Sequence, residues 1–162
     1  MRCLVIDDEE GPRQLLSLLL ERCGHRAVVV DTGDRALSEI ASSEFDLAVV
    51  DMELPGADGA DIIARLRSLK PDLGILVVSG HTDRRYVLSA MESGANGYLV
   101  KDDVSELLSA VLRDIQAGYT VLSPRVHTGG MRDLLRALGR PVVEARPEPR
   151  SRADFEPVKP PA

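Results

Sequence analysis

Residues 45–59 read FDLAVVDMELPGADG, and within them Leu47–Val50 run without a polar break into Asp51. A short, unbroken run of branched apolar residues is the pattern of a strand covered on both faces. Four similar runs occur: Cys3–Ile6, Ala27–Val30, Ile75–Val78 and Tyr98–Val100. All four stop on a polar residue, and three of those stops join Asp51 as site candidates. Cys3–Ile6 delivers Asp7 and Asp8, Ile75–Val78 delivers Ser79 and Gly80, and Tyr98–Val100 delivers Lys101.

Between and after the runs the apolar spacing becomes helical. Leu15, Leu16, Leu19 and Leu20 mark one face of a helix over roughly Pro12 to Arg22. Ala36, Leu37 and Ile40 mark the second helix, and Ile62, Ile63, Leu66 and Leu69 the third. Val87, Leu88 and Met91 mark the fourth, and Val104, Leu107, Leu108, Val111 and Leu112 the fifth. Asp31 or Thr32 can cap the second helix and Thr82 or Asp83 the fourth. Gly24, Gly94 and Gly118 stand where helices end in a left-handed residue. Strict alternation implies an α/β fold, a (βα)5 flavodoxin-like three-layer sandwich with parallel strand order 2-1-3-4-5. Ligands in such a fold bind at the carboxyl ends of the strands, near the switch between the first and third. All the polar endings fall on that edge.

The chain has 162 residues, 44% apolar and 3% aromatic, so the core is built from Leu, Val, Ile and Ala. Twenty-six acidic residues against 20 basic give a formal charge of −6, which argues against a broad nucleic-acid footprint. Cys3 and Cys23 fit no metal spacing, and Cys3 reads as core filler. No run approaches the roughly 20 apolar residues of a membrane span, and acidic residues arrive too early for a signal peptide. The expected location is the cytoplasm.

Taken singly, an acidic pair, a serine or a lysine after a strand is ordinarily a helix cap or a solvated charge. Together on four strand ends they make a site. Clustered carboxylates repel one another, and a hard divalent cation such as Mg²⁺ relieves the conflict while keeping a place for a phosphate oxygen. Lys101 supplies a compact positive charge, Ser79 a hydroxyl donor, and Gly80 room for a ligand. A carboxylate can attack phosphorus to give an aspartyl phosphate.

These residues sit in the motifs VIDDEE, FDLAVVDMELPGADG, ILVVSGHTD and GANGYLVKDD, through which residues 1–118 resemble the CheY-like receiver domains of two-component response regulators. The resemblance implies that Asp51 accepts a phosphoryl group from a sensor histidine kinase or phosphotransfer protein. It implies a Mg²⁺ site made by Asp7, Asp8, Asp51 and the backbone carbonyl of Glu53. Ser79 and Lys101 would contact the phosphoryl group, and Tyr98 would be the switch aromatic. The segment GANGYLVKDD…LLSAVLRDIQAGYTVLSP is similar to the NarL/LuxR-type subfamily. Asp102 stands where many receivers have a proline after the lysine, so a cis bond there is not assured. Glu53 and His81, each two residues past a site residue, are expected to tune hydrolysis of the acyl phosphate. The domain is expected to phosphorylate and dephosphorylate itself without acting as an enzyme on an external substrate.

Residues 119–138 read as an extension with one short helix from Ser123-Pro124, striped by Met131, Leu134, Leu135 and Leu138. The helix either packs on its own domain or makes a dimer or partner contact. Residues 139–162 hold six of the ten prolines, with five basic and four acidic residues, and read as a disordered tail. No helix-turn-helix is legible, so direct binding of nucleic acid is not expected. The main alternative is a transcription regulator that acts through a partner or has lost its DNA-binding domain. An aspartyl-phosphate hydrolase fits less well, because its paired acids belong on the first strand and Asp51 and Glu53 follow the third.

Overall fold

Each of the five apolar runs forms a strand: β1 (Arg2–Ile6), β2 (Arg26–Val30), β3 (Leu47–Val50), β6 (Gly74–Ser79) and β7 (Gly97–Val100). A two-stranded ribbon, β4 (Glu53–Leu54) and β5 (Ala57–Asp58), turns at Pro55 and Gly56, the latter at φ 68°. The five helices are α1 (Glu10–Arg22), α2 (Gly33–Ser42), α3 (Gly59–Leu69), α4 (Arg84–Ser93) and α5 (Val104–Gln116). The computed structural model describes residues 1–126, 133, 135, 136 and 139–147. None of the helices among them is long and apolar enough to cross a membrane.

The expected strand order holds, and two short strands extend it. The parallel sheet runs β2-β1-β3-β6-β7-β8-β9, where β8 is Thr120–Leu122 and β9 is Val142–Glu144. Alternation of side chains along each strand splits the core in two. Leu4, Ile6, Ala48, Val50, Ile75 and Val77 face one cluster, which Ile40, Ile63, Leu66 and Met91 complete. Cys3, Val5, Leu47, Val49, Leu76 and Val78 face the other, against Leu16 and Leu20 of α1 and Leu108, Val111 and Leu112 of α5. Burial lifts the Cys3 thiol pKa to about 11, which suits an inert core residue.

Several local expectations are met. Thr32 caps α2 by accepting from the Arg35 amide at 3.2 Å, and Gly24, Gly94 and Gly118 adopt positive φ at helix ends. Others need correction. Leu15 is 43% exposed, so the buried face of α1 is Leu16 and Leu20. β2 is the sheet's edge, and its Val29 lies 45% open rather than covered. The tail expected to be disordered from Gly139 contains β9, because Val142 and Val143 find a partner strand in β8. The expected helix does not begin at Ser123, where Pro124 and Arg125 form a turn and the serine hydroxyl is committed elsewhere, but within its expected span Asp133, Leu135 and Arg136 are helical. Of the expected apolar stripe, Leu135 is buried against this domain's own core, while Met131, Leu134 and Leu138 lie outside the described residues.

Candidate functional site

The parallel register brings the polar strand ends together. Ile6 pairs with Val50, so Asp7 and Asp51 emerge side by side, and the Asp51 amide donates to the Ile6 carbonyl at 3.0 Å. Ser79 pairs with Val100, which places it next to Lys101. Asp7, Asp51 and Ser79 are buried, whereas Asp8 is exposed at the rim.

Each buried aspartate divides its two oxygens. Asp7 Oδ1 accepts from the Glu9 amide at 2.9 Å, and Asp51 Oδ1 from the Glu53 amide at 3.0 Å. These turns hold the carboxylates rigid and aim the second oxygens at a shared space. Asp51 Oδ2 receives Lys101 Nζ at 3.0 Å. Asp7 Oδ2 lies 3.6 Å from the same ammonium and has no hydrogen-bond partner, although it is buried. A buried carboxylate oxygen left unsatisfied is costly, and a cation is its natural complement. Asp7, Asp8 and Asp51 each offer an oxygen within 4.8 Å of the others. An all-carboxylate set with one orphaned oxygen fits a hard divalent ion such as Mg²⁺.

The electrostatics follow from this crowding. Burial pushes the Asp7 carboxyl up, the Glu9 amide opposes it, and the charge of Asp51 adds to the rise. For Lys101, burial pulls down, but the bond to Asp51 and the charges of Asp51 and Asp7 outweigh it, so the ammonium is held above its usual range.

Three other sequence candidates occupy the same rim. Glu53 Oε1 bonds His81 Nε2 directly, joining the ribbon to the loop after β6. The His81 ring stacks on Tyr86, with centroids 4.0 Å apart and planes 13° from parallel. Tyr98 is turned inward and 1% exposed, its hydroxyl donating to the His81 carbonyl at 2.9 Å. Ser79 Oγ accepts from the His81 amide at 3.2 Å. The peptide after Lys101 is trans, as are all the described peptides. A cavity of about 510 Å³ lies beside the acids, lined by Asp8, Glu9, Glu53 and Asp58.

Two features escaped the sequence reading. Gly59 lies so close to the loop after Asp51 that a Cβ there would sit 2.6 Å from the Met52 Cα and carbonyl. Asp103, 6% exposed, binds Ser123 Oγ and, at 2.7 Å, Arg125 Nε. The close approach at Gly59 leaves no mark in the sequence. The Ser-Pro pair is visible but reads as a helix start, and an acid just before a helix carries no sign of so distant a partner.

The family model for the response regulator receiver domain matches residues 3–112, and the chain belongs to that family. It is similar to the Mycobacterium tuberculosis protein called probable transcriptional regulatory protein NarL, at 34% identity over 146 residues, 88% of this chain and 67% of the relative. The chain spans 58% of the length of one other curated relative and 16% of another. A LuxR-family two-component response regulator from Aurantimonas sp. SI85-9A1 superposes with a TM-score of 0.74 at 28% identity, covering 83% of this chain and 97% of that one. A Burkholderia pseudomallei response regulator, solved with a phosphorylated aspartic acid, a calcium ion and citrate, has a TM-score of 0.64 at 31% identity and covers 85% and 84%. The chain is therefore a response regulator receiver domain of the two-component type.

Proposed function

We propose that Asp51 is the phosphoacceptor, that Asp7, Asp8, Asp51 and the Glu53 carbonyl hold Mg²⁺, and that Lys101 and Ser79 receive the phosphoryl oxygens. The 3.0 Å contact of Lys101 Nζ with Asp51 Oδ2, beside the orphaned Asp7 oxygen, carries this reading. A carboxylate oxygen of Asp51 attacks phosphorus, and the bond from phosphorus to the donor breaks. That bond is P–N in a phosphohistidine and P–O in a small acyl phosphate. The electron pair leaves with the donor: the histidine ring nitrogen takes a proton as it leaves, whereas the acyl phosphate's carboxylate leaves as the anion. Mg²⁺ supplies Lewis-acid charge that offsets the phosphoryl oxygens. Lys101 pairs with one oxygen, and the turns at Glu9 and Glu53 keep both aspartates from swinging away.

The expected donor is a sensor histidine kinase or a phosphotransfer protein, and the expected setting is the cytoplasm. The subfamily assignment is NarL/LuxR-type, supported by the NarL and LuxR-family likenesses. Output is expected through a surface around α4, β7 and α5, where Tyr98 and Ser79 both engage the loop at His81. A phosphoryl group that drew Ser79 toward it would pull on that loop and on the Tyr98 hydroxyl. Dimerisation or capture of a partner would carry the signal. Regulation of transcription through a partner is a second reading, favoured by the likeness to the probable transcriptional regulatory protein NarL. Glu53 and His81, bonded at the rim, are expected to set the lifetime of the acyl phosphate.

The decisive experiment incubates the protein with Mg²⁺ and acetyl phosphate and weighs it intact. We expect the gain of one phosphoryl mass, absent in Asp51→Asn and in the presence of EDTA. A mass gain that survives Asp51→Asn would overturn the assignment.

A further inference from the structure

Asp103 holds the N-cap position of α5, yet its side chain makes no cap bond. An aspartate there ordinarily accepts from an amide of the first helical turn. Here both oxygens point the other way. Oδ2 takes the Ser123 hydroxyl and Oδ1 takes Arg125 Nε at 2.7 Å. Ser123 is itself anchored, since its amide donates to the Tyr98 carbonyl at 2.8 Å and the adjoining β8 pairs with both β7 and β9. Asp103 is also the last residue of the 3-10 turn Lys101–Asp103. A rigid strand therefore grips the far end of the short turn whose near end carries the site lysine.

We propose that Asp103 is a positioning residue for phosphoryl transfer. By clamping the Lys101–Asp103 turn to Ser123 and Arg125, it sets the reach of Lys101 Nζ to Asp51. The extension from Thr120 onward is then part of the phosphorylation site. The clamp replaces any rigidity a proline at position 102 would have given. It also offers a route by which the charge state of Asp51 is felt at β8 and β9, through Lys101, three residues of turn and a buried charge-assisted hydrogen bond. The proposal rests on the roles given above to Asp51 and Lys101.

The test uses the full chain and two readouts. The first is the side-chain NMR signal of Lys101, readily assigned because the chain has only three lysines. It needs neither phosphodonor nor metal. In Asp103→Ala we expect it to move to the shift and mobility of a solvent-exposed lysine, and in Asp103→Asn, which keeps an acceptor for Ser123, to move only part of the way. The second is the rate of mass gain from acetyl phosphate. We expect it to fall about tenfold in Asp103→Ala, the order of effect of a small misplacement of a reacting group. Adding Asp103→Ala to Lys101→Ala should cost nothing more, because the aspartate acts through the lysine. Should Asp103→Ala not fold, Arg125→Ala, whose side chain is 59% exposed, serves instead, with about a threefold loss expected. A Lys101 signal unchanged in either variant, or losses that multiply in the double variant, would overturn the clamp. A wild-type chain that takes no phosphoryl group while its Lys101 signal still responds to Asp103→Ala would refute the function proposed above and leave the clamp standing.

Discussion

The two edges of the sheet are built on opposite terms. At the carboxyl edge, two buried aspartates and one lysine face each other with an oxygen of Asp7 unmatched. At the amino edge a single half-buried guanidinium leaves little unmet. Arg67 donates to the Gly94 carbonyl at 2.7 Å, to the Leu73 carbonyl at 2.6 Å, to Pro71 at 2.8 Å and to Asn96 Oδ1 at 2.7 Å. Asn96 in turn accepts the Ile75 amide at 2.9 Å and closes the network onto the sheet. One edge carries unresolved charge that a ligand can resolve. The other resolves its polar groups internally and holds α3, α4 and β6 in place. A site of the first kind persists because the rest of the fold over-determines it.

Breaking the quiet edge should have the larger effect on stability. Arg67→Ala leaves several carbonyls and Asn96 without their donor and is expected to cost about 3 kcal/mol, read as a lower urea midpoint. Phosphoryl uptake per folded molecule should be unchanged, and a comparable loss of uptake would mean the two edges are not separable. Gly59→Ala should cost about 2 kcal/mol, because the new methyl meets the Met52 backbone and the structure must shift. Here uptake should fall as well, since Met52 adjoins Asp51.

Relieving the strained edge should have the opposite sign. Burial raises the folded-state pKa of Asp7 above its unfolded value, so the ionised form weakens the fold. Stability from this group therefore increases as pH falls through the folded pKa toward the unfolded one, and its penalty is complete above the folded pKa. Asp7→Asn is expected to be more stable than wild type at pH 7 without metal, read as a higher urea midpoint, because it removes a buried charge that the fold disfavours. Calorimetry should also show that Mg²⁺ raises the wild-type melting temperature and leaves that of Asp7→Asn nearly unmoved. A variant less stable than wild type without metal would show that the carboxylates do not oppose folding. The smallest effect belongs to the rim. Glu53→Ala frees His81 and should change the half-life of the acyl phosphate about two- to threefold, roughly 0.5 kcal/mol in barrier.

Legibility followed the length and regularity of each element. The five long runs and the polar residues at their ends could be read because each run is three or four apolar residues with a sharp stop, and parallel topology then dictates where the stops lie. The strands β8 and β9 could not. Thr120–Leu122 and Val142–Glu144 are too short for a period to emerge, and the second is set among prolines and charges that pointed to disorder. Ser123 looked like a helix cap and Asp103 drew no reading, because nothing local says that their side chains bond each other across 20 residues.

The sequence by itself determined the alternation of strand and helix, the edge on which Asp7, Asp8, Asp51, Ser79 and Lys101 gather, and so the chemistry they can perform. Those properties follow from periodicity and connection handedness, which are local. Only the tertiary structure decided which aspartate oxygens stay free, that His81 meets Glu53 and Tyr98, and that the extension is bound into the sheet and grips the turn of Lys101. Those depend on distances between residues remote in the chain, and such distances are set by packing the whole domain at once.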